Sequence, residues 1–271
     1  MKRFLLIAMT LLCAICALPS YAQESAIKEL SIHSDALKCD VNYRVYLPAG
    51  YEESDSEYPI LYLLHGYSDD EKTWSSKGRG EMKEICDAYF AERPNEKRIV
   101  AMPNGFVSWY RDSQDDSSKY ETFFFTEFVP KVESEFRVKK DSAARAISGL
   151  SMGGYGSLLL ALHKPEMFAA CYAMSAAILP PRGDMNNADF AEYARANDPH
   201  VLMKNLSDAG KGSTRFFLDC GDDDFLLEGN LQLYREAKQN KVDCELRVRN
   251  GGHSWDYWRF ALPLALEFFN G

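Results

Sequence analysis

Gly149-Leu150-Ser151-Met152-Gly153-Gly154 decides the fold. It follows the run Ala143-Ala144-Arg145-Ala146-Ile147-Ser148 and leads into Tyr155-Gly156-Ser157-Leu158-Leu159-Leu160-Ala161-Leu162. The order is a strand, a glycine-flanked serine and an apolar helix. A serine on such a sharp turn is thrust out of the sheet, and the positions around it must lack side chains because a Cβ there would collide with the adjacent strand and helix. The helix that starts at the turn aims its free N–H groups and its positive dipole end at any oxyanion forming on the serine's target. The stretch therefore predicts acyl chemistry at Ser151.

Working outward, the early segment Val41-Asn42-Tyr43-Arg44-Val45-Tyr46-Leu47 alternates apolar and polar residues and predicts an amphipathic strand, antiparallel to one over 27–33. The pattern then changes to continuous apolar runs at 59–64, 98–102, 143–148, 169–174 and 215–220, as expected of parallel strands covered on both faces. Helical stretches are expected at 80–91, 119–136, 153–163, 226–239 and 256–269. An antiparallel start followed by alternating strands and helices describes an α/β fold, a doubly wound and mostly parallel sheet. The polar, partly helical segment 185–212 breaks the rhythm. Because it follows a strand, it borders the ligand crevice as a cap or stands as a surface insertion.

The first 22 residues read as an export signal: Lys2-Arg3 begin it, the stretch 4–18 is apolar, and Ser20-Tyr21-Ala22 offers a small-x-small cleavage site. About 15 apolar residues are too few to span a bilayer. An exported chain, periplasmic or extracellular, is expected, with residues 23–271 forming a single catalytic domain. Losing Lys2 and Arg3 takes the net charge from −9 to −11, which argues against nucleic acid or an anionic membrane surface as partner. Cys39, Cys86, Cys171, Cys220 and Cys244 have no C-x-x-C spacing, so neither a zinc cluster nor a dense disulfide framework is expected. Cys171 and Cys220 fall in apolar runs and read as small buried hydrophobes.

A serine nucleophile needs a base, and the base needs an acceptor that fixes its tautomer. On an elbow of this kind the acid and then the histidine follow the serine in the chain. His33 and His65 come too early, His163 ends the helix running away from the elbow, and His200 lies in the insertion. His253 follows the last strand in the loop Asn250-Gly251-Gly252 and is the candidate base. The acid should come from Gly221-Asp222-Asp223-Asp224-Phe225, where physics alone does not choose among three adjacent carboxylates. The oxyanion needs two backbone donors: Met152, after the nucleophile, and Tyr67, in the loop Leu64-His65-Gly66-Tyr67 after an earlier strand. His65 is expected to brace that loop by hydrogen bonding.

Together L-H-G-Y-S-D-D-E-K-T-W (64–74), M-P-N-G (102–105), Y-E-T-F-F (120–124), G-L-S-M-G-G (149–154), C-G-D-D-D-F-L (220–226) and G-G-H-S-W-D-Y-W (251–258) resemble the esterase D group. That group of the α/β-hydrolase superfamily includes family 1 carbohydrate esterases, meaning feruloyl and acetyl xylan esterases, and bacterial tributyrin esterases. The resemblance covers nearly the whole chain after the signal. It implies the α/β-hydrolase fold and maps the nucleophile, acid and base onto Ser151, Asp224 and His253, with the Tyr67 and Met152 N–H groups in the oxyanion hole. It also brings Tyr110, Trp255 and Asn104 forward as substrate-binding residues that line or support the acyl pocket, with packing the competing reading for each and the favoured one for Trp74.

The expected activity is that of an exported serine esterase cutting feruloyl, acetyl or other short-chain acyl groups from saccharides or small esters. Neither cofactor nor metal is expected. Rings at Tyr67, Tyr110 and Trp255 favour acyl groups that stack, while long-chain lipids are expected to be poor substrates. Two alternatives are an acyltransferase of mycolyltransferase type, in which an alcohol intercepts the acyl-enzyme, and a non-catalytic carbohydrate-binding domain on the same fold. Oligomeric state is not legible in the sequence.

Overall fold

The computed structural model describes residues 24–270, so the expected signal over 1–22 lies outside the described residues. Two strands open it, β1 (Ala26–Ser34) and β2 (Cys39–Leu47), paired antiparallel from Ala26 opposite Leu47 to Ser34 opposite Cys39. Then come β3 (Ile60–Leu64), α1 (Met82–Glu92), β4 (Ile99–Pro103), α2 (Tyr120–Phe123) and, after a π-helical turn at Phe124–Phe128, α3 (Val129–Glu135). The elbow joins β5 (Arg145–Leu150) to α4 (Met152–His163), which runs on to β6 (Ala170–Met174). Three short helices follow, α5 (Ala188–Ala196), α6 (Pro199–Asn205) and α7 (Asp208–Lys211). The chain ends with β7 (Arg215–Gly221), α8 (Leu227–Gln239), β8 (Cys244–Arg249) and α9 (Trp255–Phe268).

The eight strands form one sheet in the order β1-β2-β4-β3-β5-β6-β7-β8. Antiparallel pairing is confined to β1·β2 and β2·β4; every pair from β4·β3 to β7·β8 is parallel. The sequence pattern explains the division. Ile60, Leu61, Tyr62, Leu63 and Leu64 are all fully buried because helices cover both faces of β3, whereas the edge strand β1 buries little and alternates. Fully burying one such aliphatic side chain stabilises the fold by about 1.5–3 kcal/mol relative to leaving it exposed. Two cores result. Tyr62, Phe124, Phe128, Leu158 and Phe168 fill one side of the sheet, and Tyr172, Phe217, Trp258, Ala261 and Leu262 fill the other. Cys171 and Cys220 are buried, in keeping with their apolar runs.

The continuous helix expected over 119–136 is interrupted by the π turn. Pro130 has no N–H to give the carbonyl of Thr126, so the regular ladder cannot run through this point. The wider turn brings Phe124 and Phe128 inward together, with ring centroids 5.8 Å apart and neither ring exposed.

β3 sits between β4 and β5, so the connection leaving β3 goes to one side of it and the chain then returns on the other. This is the point where the winding direction switches, and the loops leaving the ends of β3 and β5 diverge there to open a crevice. Leu64 pairs with Gly149, which sets the loop after β3 beside the elbow after β5.

Candidate active site

Ser151 has φ 56° and ψ −115°, a conformation that L-residues rarely adopt. Three hydrogen bonds hold it: its N–H donates to Met174 O at 2.9 Å, and its carbonyl accepts from Tyr155 N–H at 3.0 Å and Ala177 N–H at 2.9 Å. The surrounding glycines explain how the strand and helix come close enough for this. A Cβ on Gly149 would lie 2.5 Å from Gly153 C, and one on Gly153 would lie 2.4 Å from Leu64 O and 2.6 Å from His65 O.

His253 bridges the serine and an acid. Its Nε2 lies 3.0 Å from Ser151 Oγ and its Nδ1 2.9 Å from Asp224 Oδ2. The loops carrying the acid and the histidine touch directly: Asp223 N–H donates to Gly251 O at 3.0 Å and Asp222 N–H to Arg249 O at 2.9 Å. A Cβ on Gly221 would come within 2.0 Å of Gly251 O, so only glycine fits there. Edge-on contact with Trp258, at 4.8 Å between centroids, and the Phe225 ring at 4.9 Å fix the plane of the imidazole.

The three adjacent acids have different surroundings. Asp222 and Asp223 are exposed, and Asp222 Oδ1 accepts the Gly251 N–H at 2.9 Å. Asp224 is buried, with Oδ1 accepting the Leu226 N–H at 2.9 Å while Oδ2 faces the imidazole. Burial works against its charge, but hydrogen bonds from His253, Leu226 N–H and Ser175 outweigh it and hold the carboxyl below the usual range. Asp224 is therefore a buried carboxylate that orients Nδ1–H and leaves Nε2 as acceptor toward the serine.

Among the described residues neither Tyr67 N–H nor Met152 N–H, the two expected oxyanion donors, donates to a protein acceptor, and both residues border the cavity that Ser151 opens into. Met152 is the first residue of α4, where the N–H has no partner within the helix. His65 braces the β3 loop: Gly105 N–H donates to Nε2 at 2.7 Å, which leaves Nδ1–H to donate to Gly66 O at 2.8 Å. Burial lowers the His65 pKa, in keeping with a neutral ring that accepts at one nitrogen and donates at the other. Trp74 packs beneath the same strand end, its indole N–H donating to Leu64 O at 2.9 Å.

Ser151 faces a cavity of about 550 Å³ walled by Tyr67, Trp109, Arg111, Met152, Tyr155, Phe225 and Leu226. Phe190, Tyr193, Ala194, Asn197, Asp198 and Pro199 also line it, so the segment 185–212 does border the crevice. Three residues expected to meet substrate stand outside this wall. Tyr110 is fully buried, with its hydroxyl donating to His65 O at 2.9 Å and its ring against Gly105 and Gly156. Trp255 is wedged edge-on between Trp74 and Trp258, each at 5.3 Å. The Asn104 side chain is engaged locally, accepting Phe106 N–H at 2.8 Å. Each supports the site from behind, because its polar atoms or ring faces are already committed to protein neighbours. In their place the wall has Trp109, Tyr155 and Tyr193, which the motifs did not single out. Phe225, beside the three acids and three-quarters exposed, was the one such ring that the sequence could have flagged.

The chain is similar to known esterases. The Esterase family model matches residues 34–269. An acetyl esterase of Caldicellulosiruptor saccharolyticus is 27% identical over 271 aligned residues, spanning 90% of this chain and 98% of the relative. An endo-1,4-beta-xylanase/feruloyl esterase of Xylanibacter ruminicola is 30% identical over 52% of this chain, a match that takes in 20% of that longer protein. Among solved structures, a ferulic acid esterase superposes with a TM-score of 0.81 at 35% identity, covering 91% of this chain and 98% of that one. An S-formylglutathione hydrolase of Staphylococcus aureus shares the fold with a TM-score of 0.75 at 24% identity, over 92% of this chain and 100% of the other. With the fold, the elbow and these relatives in agreement, the chain belongs to the Esterase family of the α/β-hydrolase superfamily and is a carboxylic ester hydrolase.

Proposed function

We propose that the protein is an exported serine esterase that hydrolyses feruloyl, acetyl or other short-chain acyl esters of saccharides through an acyl-enzyme on Ser151. The observation that carries this reading is the single imidazole 3.0 Å from Ser151 Oγ and 2.9 Å from Asp224 Oδ2. Ser151 Oγ attacks the ester carbonyl while His253 Nε2 takes its proton, and Asp224 holds the imidazolium in place. The negative oxygen that forms is met by the N–H groups of Tyr67 and Met152. As the intermediate collapses, the C–O bond to the alcohol breaks and Nε2 returns the proton to the leaving oxygen. Water then repeats the sequence on the acyl-enzyme, releasing the acid and restoring Ser151. The preference for aromatic or short acyl groups is supported by the rings of Trp109, Tyr155 and Tyr193 in a cavity of about 550 Å³, and by relatives that act as acetyl and ferulic acid esterases. Export is supported by the charged, apolar and small-residue sections of residues 1–22.

Side-by-side turnover of acetylated xylan, methyl ferulate, a butyryl ester and a long-chain triglyceride tests the substrate reading. The first three are expected to be cleaved faster than the triglyceride, with no loss of activity in a chelator. The reverse order, or inactivation by the chelator, would overturn it. N-terminal sequencing of protein recovered from outside the cytoplasm is expected to begin at Gln23.

A further inference from the structure

Arg111 stands in the wall of the cavity, and its charge plays no part in the mechanism above. Its Nη1 lies 3.5 Å from Tyr155 OH, and its guanidinium lies 5.2 Å from the centre of the Tyr193 ring. The Tyr155 hydroxyl donates its own proton to Asn197 O at 2.6 Å, so its oxygen faces the arginine as an acceptor. Among the described residues Arg111 makes no ion pair, neither with Asp112, its neighbour in sequence, nor with Asp198, in the cavity wall. Asp112 accepts Thr122 N–H at 3.0 Å and Thr122 Oγ1–H at 2.6 Å; Asp198 Oδ1, at the cavity wall, accepts His200 N–H at 2.9 Å at the start of α6. A second guanidinium, Arg182, borders the same cavity from Pro180-Pro181-Arg182. Two arginines converge on the site of a chain whose net charge is −9.

The chemistry at His253 assigns the two halves of the cavity. The leaving alcohol must lie where Nε2 can return its proton, next to Phe225, whose exposed ring stands against the imidazole at 4.9 Å. The acyl group is left with the other wall. That wall follows Tyr155, which starts one turn after Ser151 on α4 with its N–H on Ser151 O at 3.0 Å and ends with its hydroxyl at Arg111. An acyl chain leaving Ser151 Oγ along Tyr155 therefore meets a guanidinium at its far end, in a partly dehydrated pocket where a charge-assisted, two-pronged hydrogen bond is strongest.

We propose that Arg111 forms an anion subsite, and that among short acyl groups of matched length the enzyme prefers those carrying a second, negatively charged carboxylate at their far end. This rests on Ser151 being the nucleophile. Two chromogenic esters of matched length test it in the intact protein: mono-p-nitrophenyl glutarate, and p-nitrophenyl pentanoate with a methyl group in place of the carboxylate. The ratio of their kcat/KM values is expected to favour the glutarate by roughly tenfold or more, and to fall roughly 10- to 100-fold in Arg111→Met. Arg111→Lys is expected to keep part of the preference, and added salt to reduce it. A wild-type ratio at or below one, or a ratio unchanged in Arg111→Met, overturns the subsite. Should Arg111→Met fail to fold, free glutarate and pentanoate as competitive inhibitors of the wild type decide: glutarate binding at least tenfold tighter is expected, and equal inhibition overturns the proposal. Ser151→Ala separates the two failures: persistent turnover of the pentanoate ester in that variant sinks the assignment of Ser151 and the subsite built on it, whereas an inactive Ser151→Ala together with an ester ratio unchanged in Arg111→Met sinks the anion subsite alone.

Discussion

Gly153→Ala tests the elbow by adding one methyl group. The new Cβ would lie 2.4 Å from Leu64 O and 2.6 Å from His65 O, both backbone atoms at the end of β3. Ordinary contact begins about 1 Å farther out, and no side chain can rotate to make room. Either α4 must lift from the sheet or the β3 loop must move, and both displacements shift the Tyr67 and Met152 N–H groups away from the proposed oxyanion position. Overpacking of this kind costs about 1–3 kcal/mol in stability, which for a domain of this size lowers Tm by roughly 2–12 °C. The loss of turnover is expected to be larger in energy, because removing one oxyanion donor costs about 10²- to 10³-fold in kcat. The assay is kcat on a p-nitrophenyl ester together with a thermal melt. Gly212→Ala is the control, since a Cβ at Gly212 meets nothing within 4 Å, and it is expected to match wild type in both. A Gly153→Ala enzyme that melts lower yet turns over at the wild-type rate would refute the link between helix–strand approach and the oxyanion site.

Asp224→Asn is expected to slow turnover by about 10⁴-fold, because the histidine loses the acceptor that fixes its tautomer; Asp222→Asn and Asp223→Asn, on exposed side chains, are each expected to cost under about tenfold, and steady-state kinetics of the three variants checks the order. Folding also constrains His65, whose pKa is lowered by burial. A histidine with a depressed folded pKa contributes stability above its unfolded value of about 6.5 and loses it as pH falls toward the folded value. Thermal melts are therefore expected to show Tm dropping more steeply from pH 7 to pH 5 in the wild type than in a His65→Asn variant, and parallel slopes would count against a neutral His65. At the other end of α4, His163 has a raised pKa: burial opposes its charge, but Glu121 at 2.8 Å more than compensates. Its contribution has the opposite sign, full below about pH 6.5 and lost as pH rises through the folded value, so His163→Gln is expected to lower Tm more at pH 6 than at pH 8.

Much of the fold was legible because its determinants are local. Continuous apolar runs mark β3 to β7, and alternation marks β2, since a sheet covered on both faces and one covered on one face bury different residues. Ser151 and His253 could be named for a similar reason: each sits at the end of a strand in a glycine-rich turn that leaves few other uses for it. Asp224 could not be separated from Asp222 and Asp223 by its own chemistry, since what distinguishes it is the burial that follows when Gly221 packs against Gly251. The cavity wall was the least legible part. Arg111, Tyr155 and Asn197 meet through tertiary packing of three separate segments, and no spacing in the chain encodes that contact. Tyr110 and Trp255 were drawn to the substrate by their motifs, but a ring in a site loop can as readily brace the loop from behind, and here both do. The π turn is not legible in the sequence because the aromatic-rich segment around Pro130 keeps helical periodicity on either side of it.

The most direct test of the central claim is to identify the residue that becomes acylated. Wild-type enzyme quenched in acid during turnover of a slow p-nitrophenyl ester, or treated with a fluorophosphonate, is expected to gain the mass of one acyl or phosphonyl group. Peptide mapping is expected to place it on Ser151, and Ser151→Ala is expected to gain none and to lose about 10⁴- to 10⁶-fold in kcat. An adduct on another residue, or a Ser151→Ala enzyme that keeps more than a few per cent of wild-type turnover, would contradict the account.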